Sequence, residues 1–406
     1  MFAATIGGLL TKPIEEGCLD FGAIASSIFL AILIIYTIDQ ASTFLIIQIE
    51  LPMNLTKLLS GYSLNVLTAS LILIQCIAMP AVAKPLLSEY EVVDRVTIGG
   101  IGGWDFIAFD PIRQHLFISR GDRVQVWSVQ SRKVVSEIAG TAGVHGIALA
   151  QDLGLGFTSN GRANTVTVFS LKDLNVVGTI NVPGENPDAI LYEPKFKRVY
   201  SFNGRSNNVT VIDALNFKVL ANIALGGKPE VAVSDGAGHV FVNIEDTAEV
   251  VVINQAENKI QTRWSLTPCV EPTGLAIDTA HQRLFSVCSN NKMAIVDAQT
   301  GRHVAIMPIG GKPDGAEYDS SLGMAFSANG DGTLTLVHEN DPEHFTVAAN
   351  VATQEKARTL ALDPVSHRIY LVTASFGPTL AATTEQSEPR SVMLQNSFTV
   401  IVTSPK

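Results

Sequence analysis

One sequence unit of 40–44 residues recurs seven times between about residue 105 and the C-terminus. A period of that length means stacked supersecondary units rather than one irregular core. Each unit opens on a short apolar run, such as Gly146-Ile147-Ala148-Leu149 or Gly274-Leu275-Ala276-Ile277. A turn leads to a second run, such as Arg198-Val199-Tyr200-Ser201-Phe202 or His239-Val240-Phe241-Val242. A polar Asn/Gly hairpin precedes an alternating run, as in Val166-Thr167-Val168-Phe169, Val209-Thr210-Val211-Ile212 and Leu334-Thr335-Leu336-Val337. A fourth run, such as Lys133-Val134-Val135-Ser136-Glu137-Ile138, closes the unit.

These runs are short, rich in β-branched residues and bounded by Gly, Asn, Asp and Pro, so each reads as a strand. Four short antiparallel strands per unit make a propeller blade. The sequence therefore predicts an all-β, seven-bladed β-propeller. Its last unit has first and second strands at residues 359–363 and 368–373 and a late third strand at 398–403, then ends at Lys406 without a fourth. Residues 91–98 carry the fourth-strand pattern and are expected to complete that blade, which removes two exposed sheet edges.

The ring accounts for about 320 of 406 residues, so residues 84–406 are one domain. Residues 53–83 read as a secretory signal. Lys57 lies in a short polar start, residues 66–79 are mostly apolar, and Ala81-Val82-Ala83 is a small-residue cleavage site. Met53 opens that signal, so residues 1–52 are expected to be an upstream extension outside the natural product. The alternative is a membrane segment at residues 21–38, long enough to span but without a basic flank. The expected product is a soluble monomer, periplasmic or secreted after cleavage near Ala83. It keeps two cysteines, Cys269 and Cys288. A hairpin pairing Ile277 with Leu284 sets Cys288 opposite Thr273 and near Cys269, and export favours a disulfide between them.

Residues 84–406 carry 26 basic and 33 acidic side chains, net −7. That balance disfavours nonspecific polyanion binding, which rests on phosphate neutralisation by Lys and Arg.

The second strands ending in Phe-Val-Asn or Ser-Asn-Gly, the third strand Val209-Thr210-Val211-Ile212-Asp213 and the connectors Gly226-Gly227-Lys228-Pro229 and Gly310-Gly311-Lys312-Pro313 resemble the YVTN-repeat signature. The chain is similar to the YVTN-repeat β-propeller family, the exported YncE-like group, over residues 90–406. The resemblance implies the propeller fold and an exported binding protein. One branch of the family is associated with single-stranded DNA, and lactonase-type propellers are distantly similar. The repeat signature itself carries none of these activities. No Trp-Asp ends the third strands; Trp127 is followed by Ser128.

Aligning the first strands puts Asp105, His145, Asp188, Glu230, Thr273, Asp314 and Arg358 at one equivalent position. In a propeller those residues ring one channel mouth, with Trp104, Asn186 and Glu271 on the same rim. One reading is a hydrated polar mouth, since inner strands begin in water. The other is a ligand site in which convergent carboxylates and an imidazole shift one another's pKa or hold a divalent cation, with Asp188, Glu230 and Asp314 the expected ligands. No cofactor is required by either. Arg162 and Arg205 follow Asn-Gly pairs in adjacent blades and form either a solvated pair or an anion clamp. The glycines of those pairs are expected to supply the positive φ of tight hairpins. The polar stretch 375–396 is the largest departure from the repeat and lies on the mouth side, as a lid or a loose insertion.

No Gly-x-Ser-x-Gly, His-Glu-x-x-His or Walker pattern occurs, so no nucleophile–base pair can be named. The sequence supports a binding or scaffold protein taking a small molecule or protein at the mouth. A metal-assisted lactonase-type hydrolase is the alternative, and single-stranded DNA binding a weaker one.

Overall fold

The computed structural model describes residues 89–380 and 390–406, all within the compact unit Ala83–Lys406. The expected signal (53–83), the upstream extension (1–52) and the segment at 21–38 lie outside the described residues.

Seven four-stranded antiparallel sheets make up the fold, and no helix occurs among the described residues. The innermost strands are Ile107–Asp110, Val144–Ala150, Pro187–Glu193, Pro229–Ser234, Pro272–Asp278, Pro313–Asp319 and Leu360–Asp363. Each touches the next, and the last returns to the first, so the ring is closed. The last blade runs Leu360–Asp363, Arg368–Thr373, Thr399–Pro405 and Tyr90–Thr97, with Thr97 opposite Thr399 and Val96 opposite Val400. The N-terminal strand thus closes the ring one residue earlier than the sequence pattern places it. Its anchor is Tyr90, 5% exposed, whose ring meets Phe326 edge-on at 5.3 Å and whose hydroxyl donates to the His367 carbonyl at 2.8 Å.

The core lies between blades. Second and third strands are packed on both faces, so Val209, Thr210, Val211 and Ile212 are all buried. That explains why these strands read as near-continuous apolar runs, whereas the outer strand Lys133–Ile138 alternates. One cluster shows the inter-blade packing: Ile107, Leu116 and Trp127 of the first blade meet Tyr370, Val372 and Val400 of the last.

The Asn that ends a second strand is a buried hub. Asn160 donates to Thr165 at 3.1 Å and Thr167 at 2.8 Å and accepts from Thr158 at 2.9 Å. Asn203 donates to Asn208 and Thr210, and Asn329 to Thr333 and Thr335. A polar group this deep must be satisfied, and a Thr or Asn four or five residues on, followed two residues later by a Thr, does so while fixing the hairpin between strands two and three. The signature triplet is therefore an architectural device.

The glycines after two of those Asn residues differ from expectation. Gly161 and Gly204 do not have positive φ; the left-handed residues are Asn164 and Asn207, at 54° and 55°. Gly161 is needed for close approach instead, because a Cβ there would lie 2.7 Å from Asn186 Oδ1 and 2.9 Å from the His145 ring.

Cys269 and Cys288 are joined by a disulfide across 19 residues, with Cα atoms 5.6 Å apart. Ile277 does pair with Leu284, but Cys288 faces Pro272 and not Thr273, because a bulge between Pro272 and Leu275 shifts the register. The stretch 375–396 holds a small hairpin, Phe376–Leu380 with Arg390–Met393, where the sequence shows no periodicity.

Candidate binding site at the channel mouth

The mouth residues owe their direction to a recurrent irregularity. Register shifts interrupt the pairing of first and second strands between Val144 and Ile147, Pro187 and Ile190, Pro229 and Ala232, Pro272 and Leu275, and Pro313 and Gly315. His145, Asp188, Glu230, Thr273 and Asp314 each fall inside one of these bulges. An unpaired bulge residue is free to turn out of the sheet, here toward the axis. Small neighbours allow the inner strands to crowd: a Cβ on Gly274 would meet the Asp314 carbonyl at 2.5 Å, and one on Gly146 the Asp188 carbonyl at 2.9 Å. Ser119 Oγ accepts from the Asp105 amide at 3.0 Å and Ser159 Oγ from the Gly146 amide at 2.9 Å, so second-strand hydroxyls fix the first-strand starts.

The ring divides into three groups. Asp105 Oδ2 lies 2.6 Å from His145 Nδ1, and Asp188 Oδ1 lies 3.7 Å from that same nitrogen. These three side chains each offer a ligand atom within 4.8 Å of the others. Glu230 is ion-paired with Lys228 at 2.8 Å, and Lys228 also bonds Glu245. Asp314 is paired with Arg358 at 3.1 Å. Thr273 donates to the Pro313 carbonyl at 3.2 Å and so joins two inner strands. Of the expected metal ligands, Asp188 lies in the three-residue cluster with Asp105 and His145, while Glu230 and Asp314 are each held by a cation.

The electrostatics follow. The Asp105 hydrogen bond raises the His145 pKa against burial, with Asp188 and Glu230 adding to the rise. Burial raises Asp188, reinforced by the Asp105 charge and opposed by His145 and Lys228. Burial outweighs the Lys228 ammonium and holds Glu230 above the usual carboxylate range. Burial pushes Asp314 up to about 6 despite Arg358, with Asp105, Asp188 and Glu245 contributing. These groups feel one another's charge, so they occupy one site.

Two hollows open beside the ring. One of about 360 Å³ is lined by His145, Asn186, Glu185, Asn164, Arg162 and Arg205, which brings the two arginines to one wall. The other, about 570 Å³, is lined by Trp104, Lys312, Asp331, Glu355, Lys356 and Arg358. Trp104 packs at 5.2 Å from Phe398 and 6.0 Å from Phe376, and the Lys356 ammonium sits 3.4 Å over the Phe376 ring. The hairpin in 375–396 therefore contributes Phe376 beside this hollow. Beneath the ring a smaller cavity of about 180 Å³ continues down the channel. Sequence alignment of the blades missed Lys228 as a site residue. Lys228 stood in a connector that reads as a turn, and only its pairing with Glu230 reveals its role.

Fold and mouth together define a seven-bladed β-propeller with a polar, mostly acidic channel entrance. Solved structures of like fold include a chain of Kuenenia stuttgartiensis hydrazine synthase, 16% identical, covering 73% of this chain and 97% of that one, TM-score 0.58. A chain of the mitotic checkpoint complex is 11% identical, covers 77% and 91%, and has TM-score 0.62. The RRP9 WD40 repeats are 11% identical, cover 77% and 99%, and have TM-score 0.63. At these identities the likeness is one of fold, WD40-like in shape although no third strand ends in Trp-Asp. No protein-family profile matches the chain, and no curated protein does.

Proposed function

We propose that this chain is an exported binding propeller of the YVTN-repeat type, which receives a small cationic ligand, or a cationic side chain of a partner protein, at its channel mouth. The observation that carries this reading is the crowding of Asp105, Asp188, Glu230, Asp314 and Glu245 around one axis, where burial and mutual repulsion raise three of them. Carboxyl groups held this way gain from an incoming positive charge. Arg162 and Arg205 beside His145 offer an anionic part of the same ligand its counter-charge. The repeat resemblance and the Cys269–Cys288 disulfide support export, because disulfides persist in oxidising compartments. The similar chain from the mitotic checkpoint complex comes from a protein assembly, in keeping with a rim on which partners dock.

Calorimetric titration of the wild type and of the double variant Asp188→Asn/Asp314→Asn with butylamine, arginine amide and acetate tests this. The amines should bind the wild type, acetate should not, and the double variant should lose at least about tenfold in amine affinity, or 1.4 kcal/mol. Equal amine binding by both proteins would remove the mouth from consideration.

One observation favours a second reading, a metal-assisted hydrolase of lactonase type: Asp105, His145 and Asp188 each place a ligand atom within 4.8 Å of the others. Two carboxylates and an imidazole suit zinc or manganese. Titration with calcium, zinc and manganese, repeated on His145→Ala, decides it. Single-stranded DNA binding is the weaker reading, given the net charge and the packing of Trp104 against Phe376 and Phe398.

A further inference from the structure

Below the mouth, the 180 Å³ cavity is walled by Phe106, Ile107, Ile147, Ile190, Val231 and Leu360, and its one ionisable side chain is Glu317. The equivalent position in the other blades holds Ala108, Ala148, Leu191, Val233, Ala276 and Ala361. Repeat architecture therefore asks for an aliphatic residue there, and the sixth blade departs from it with a carboxyl. The Glu317 side chain makes no hydrogen bond or ion pair with any described residue, and desolvation pushes its pKa up to about 7. Glu317 is half-buried in the channel wall, so its carboxyl faces the channel with no protein donor among the described residues, and partial withdrawal from water without a partner carries a cost. Glu317 is three residues further along its strand, Pro313–Asp319, than Asp314 at the mouth. At the rise of an extended strand that is a depth of about 10 Å.

A negative rim, an apolar sleeve and a single carboxyl below it form a linear sequence of sites. Resting on the cation-binding reading of the mouth, we infer that the channel accepts a linear aliphatic diamine, one ammonium among Asp105, Asp188 and Asp314, the methylenes along Ile107, Ile147, Ile190 and Leu360, and the other ammonium on Glu317. Each part of that ligand meets its complement. The ammonium supplies the donors that the Glu317 carboxylate lacks. Each methylene taken from water contributes about 0.8 kcal/mol. A monoamine of the same length engages the rim but leaves either Glu317 unpaired or its own methyl end against a carboxyl.

The test uses the purified protein and four probes: putrescine, hexamethylenediamine, octamethylenediamine and hexylamine, by calorimetry, on wild type and Glu317→Gln. The expected result is that one diamine, matched in length to the rim-to-Glu317 span, binds at least about tenfold tighter than hexylamine, and that E317Q abolishes this advantage by weakening the diamine. Two results overturn the inference. If hexylamine and the diamines bind the wild type alike, the channel carboxyl takes no part, although the mouth still binds cations. If a diamine advantage survives in E317Q, the second ammonium sits elsewhere. Failure of every amine to bind removes both this inference and the cationic reading of the mouth. The wild-type series alone remains decisive if E317Q does not fold.

Discussion

His145 Nδ1 stands 2.6 Å from Asp105 Oδ2, so a single hydrogen bond ties the second blade to the first across the channel mouth. That bond is the largest influence on the imidazole, and it raises its pKa despite burial. Replacing Asp105 with Asn keeps a similar shape and removes the charge. The His145 ring should then titrate lower, back toward the ordinary imidazole range, as read from its ring-proton NMR shifts. A variant in which His145 titrates as in the wild type would mean that Asp188 and Glu230 set its charge.

Ring closure rests on the N-terminal strand. Removing Tyr90–Thr97 would bare the edge of Thr399–Pro405, and unpaired edges recruit other chains. The deletion should give aggregated or unfolded protein. Tyr90→Ala is the milder probe. It removes a buried ring packed on Phe326 and a hydroxyl bonded to the His367 carbonyl. Losses of about 3–5 kcal/mol are typical for such truncations, measurable by denaturant melts. A change below about 1 kcal/mol, within the ordinary surface range, would show that closure does not depend on this anchor.

The Cys269–Cys288 disulfide closes a short loop in the fifth blade. Chain-entropy reasoning gives about 3 kcal/mol for a loop of that length. The Cys269→Ala/Cys288→Ala protein should lose about that much stability, and residues 84–406 should show no free thiol before reduction. Two titratable thiols in that form would contradict the bond.

Blade number, the four strands of each blade and the closing strand were legible because they rest on pattern: alternation, turn residues and a repeat period, whereas the hairpin within 375–396 left no such mark. The equivalent position of the seven mouth residues was legible for the same reason. What was not legible depends on contacts between blades. The Pro272–Leu275 bulge moved Cys288 opposite Pro272, and no residue type announces a bulge. Gly161 looked like a turn residue but serves the approach of His145 and Asn186 from neighbouring strands. Lys228 looked like part of a connector, yet its ammonium divides the carboxylates by claiming Glu230. Glu317 was visible only as one polar letter in a strand, and its meaning came from the cavity it lines.

The pH dependence of stability should have an unusual sign above about pH 4.5. Asp314 goes from 3.8 to about 6 and Glu317 from 4.5 to about 7 on folding, both through burial first. Burial likewise raises Glu230 and Asp188. A carboxyl whose folded pKa is raised stays protonated in the native state while the unfolded chain has already lost its proton. Its contribution is therefore full below the unfolded pKa and is lost as pH rises through the folded one. Carboxylates held low, such as Asp235 and Asp297, work in the opposite direction, but only below about pH 4, where their unfolded forms begin to take up protons. Stability should thus peak in the mildly acid range and fall toward neutrality, where many proteins are still at their best. Glu317 alone accounts for a loss on the order of 2–3 kcal/mol between about pH 4.5 and 7, from its shift at 1.36 kcal/mol per unit, reduced by water in the channel. Melting temperatures taken across that range at constant ionic strength should decline for the wild type and decline less steeply for E317Q. A flat wild-type profile, or a Gln variant with an unaltered slope, would mean that Glu317 is ionised and solvated in the folded channel.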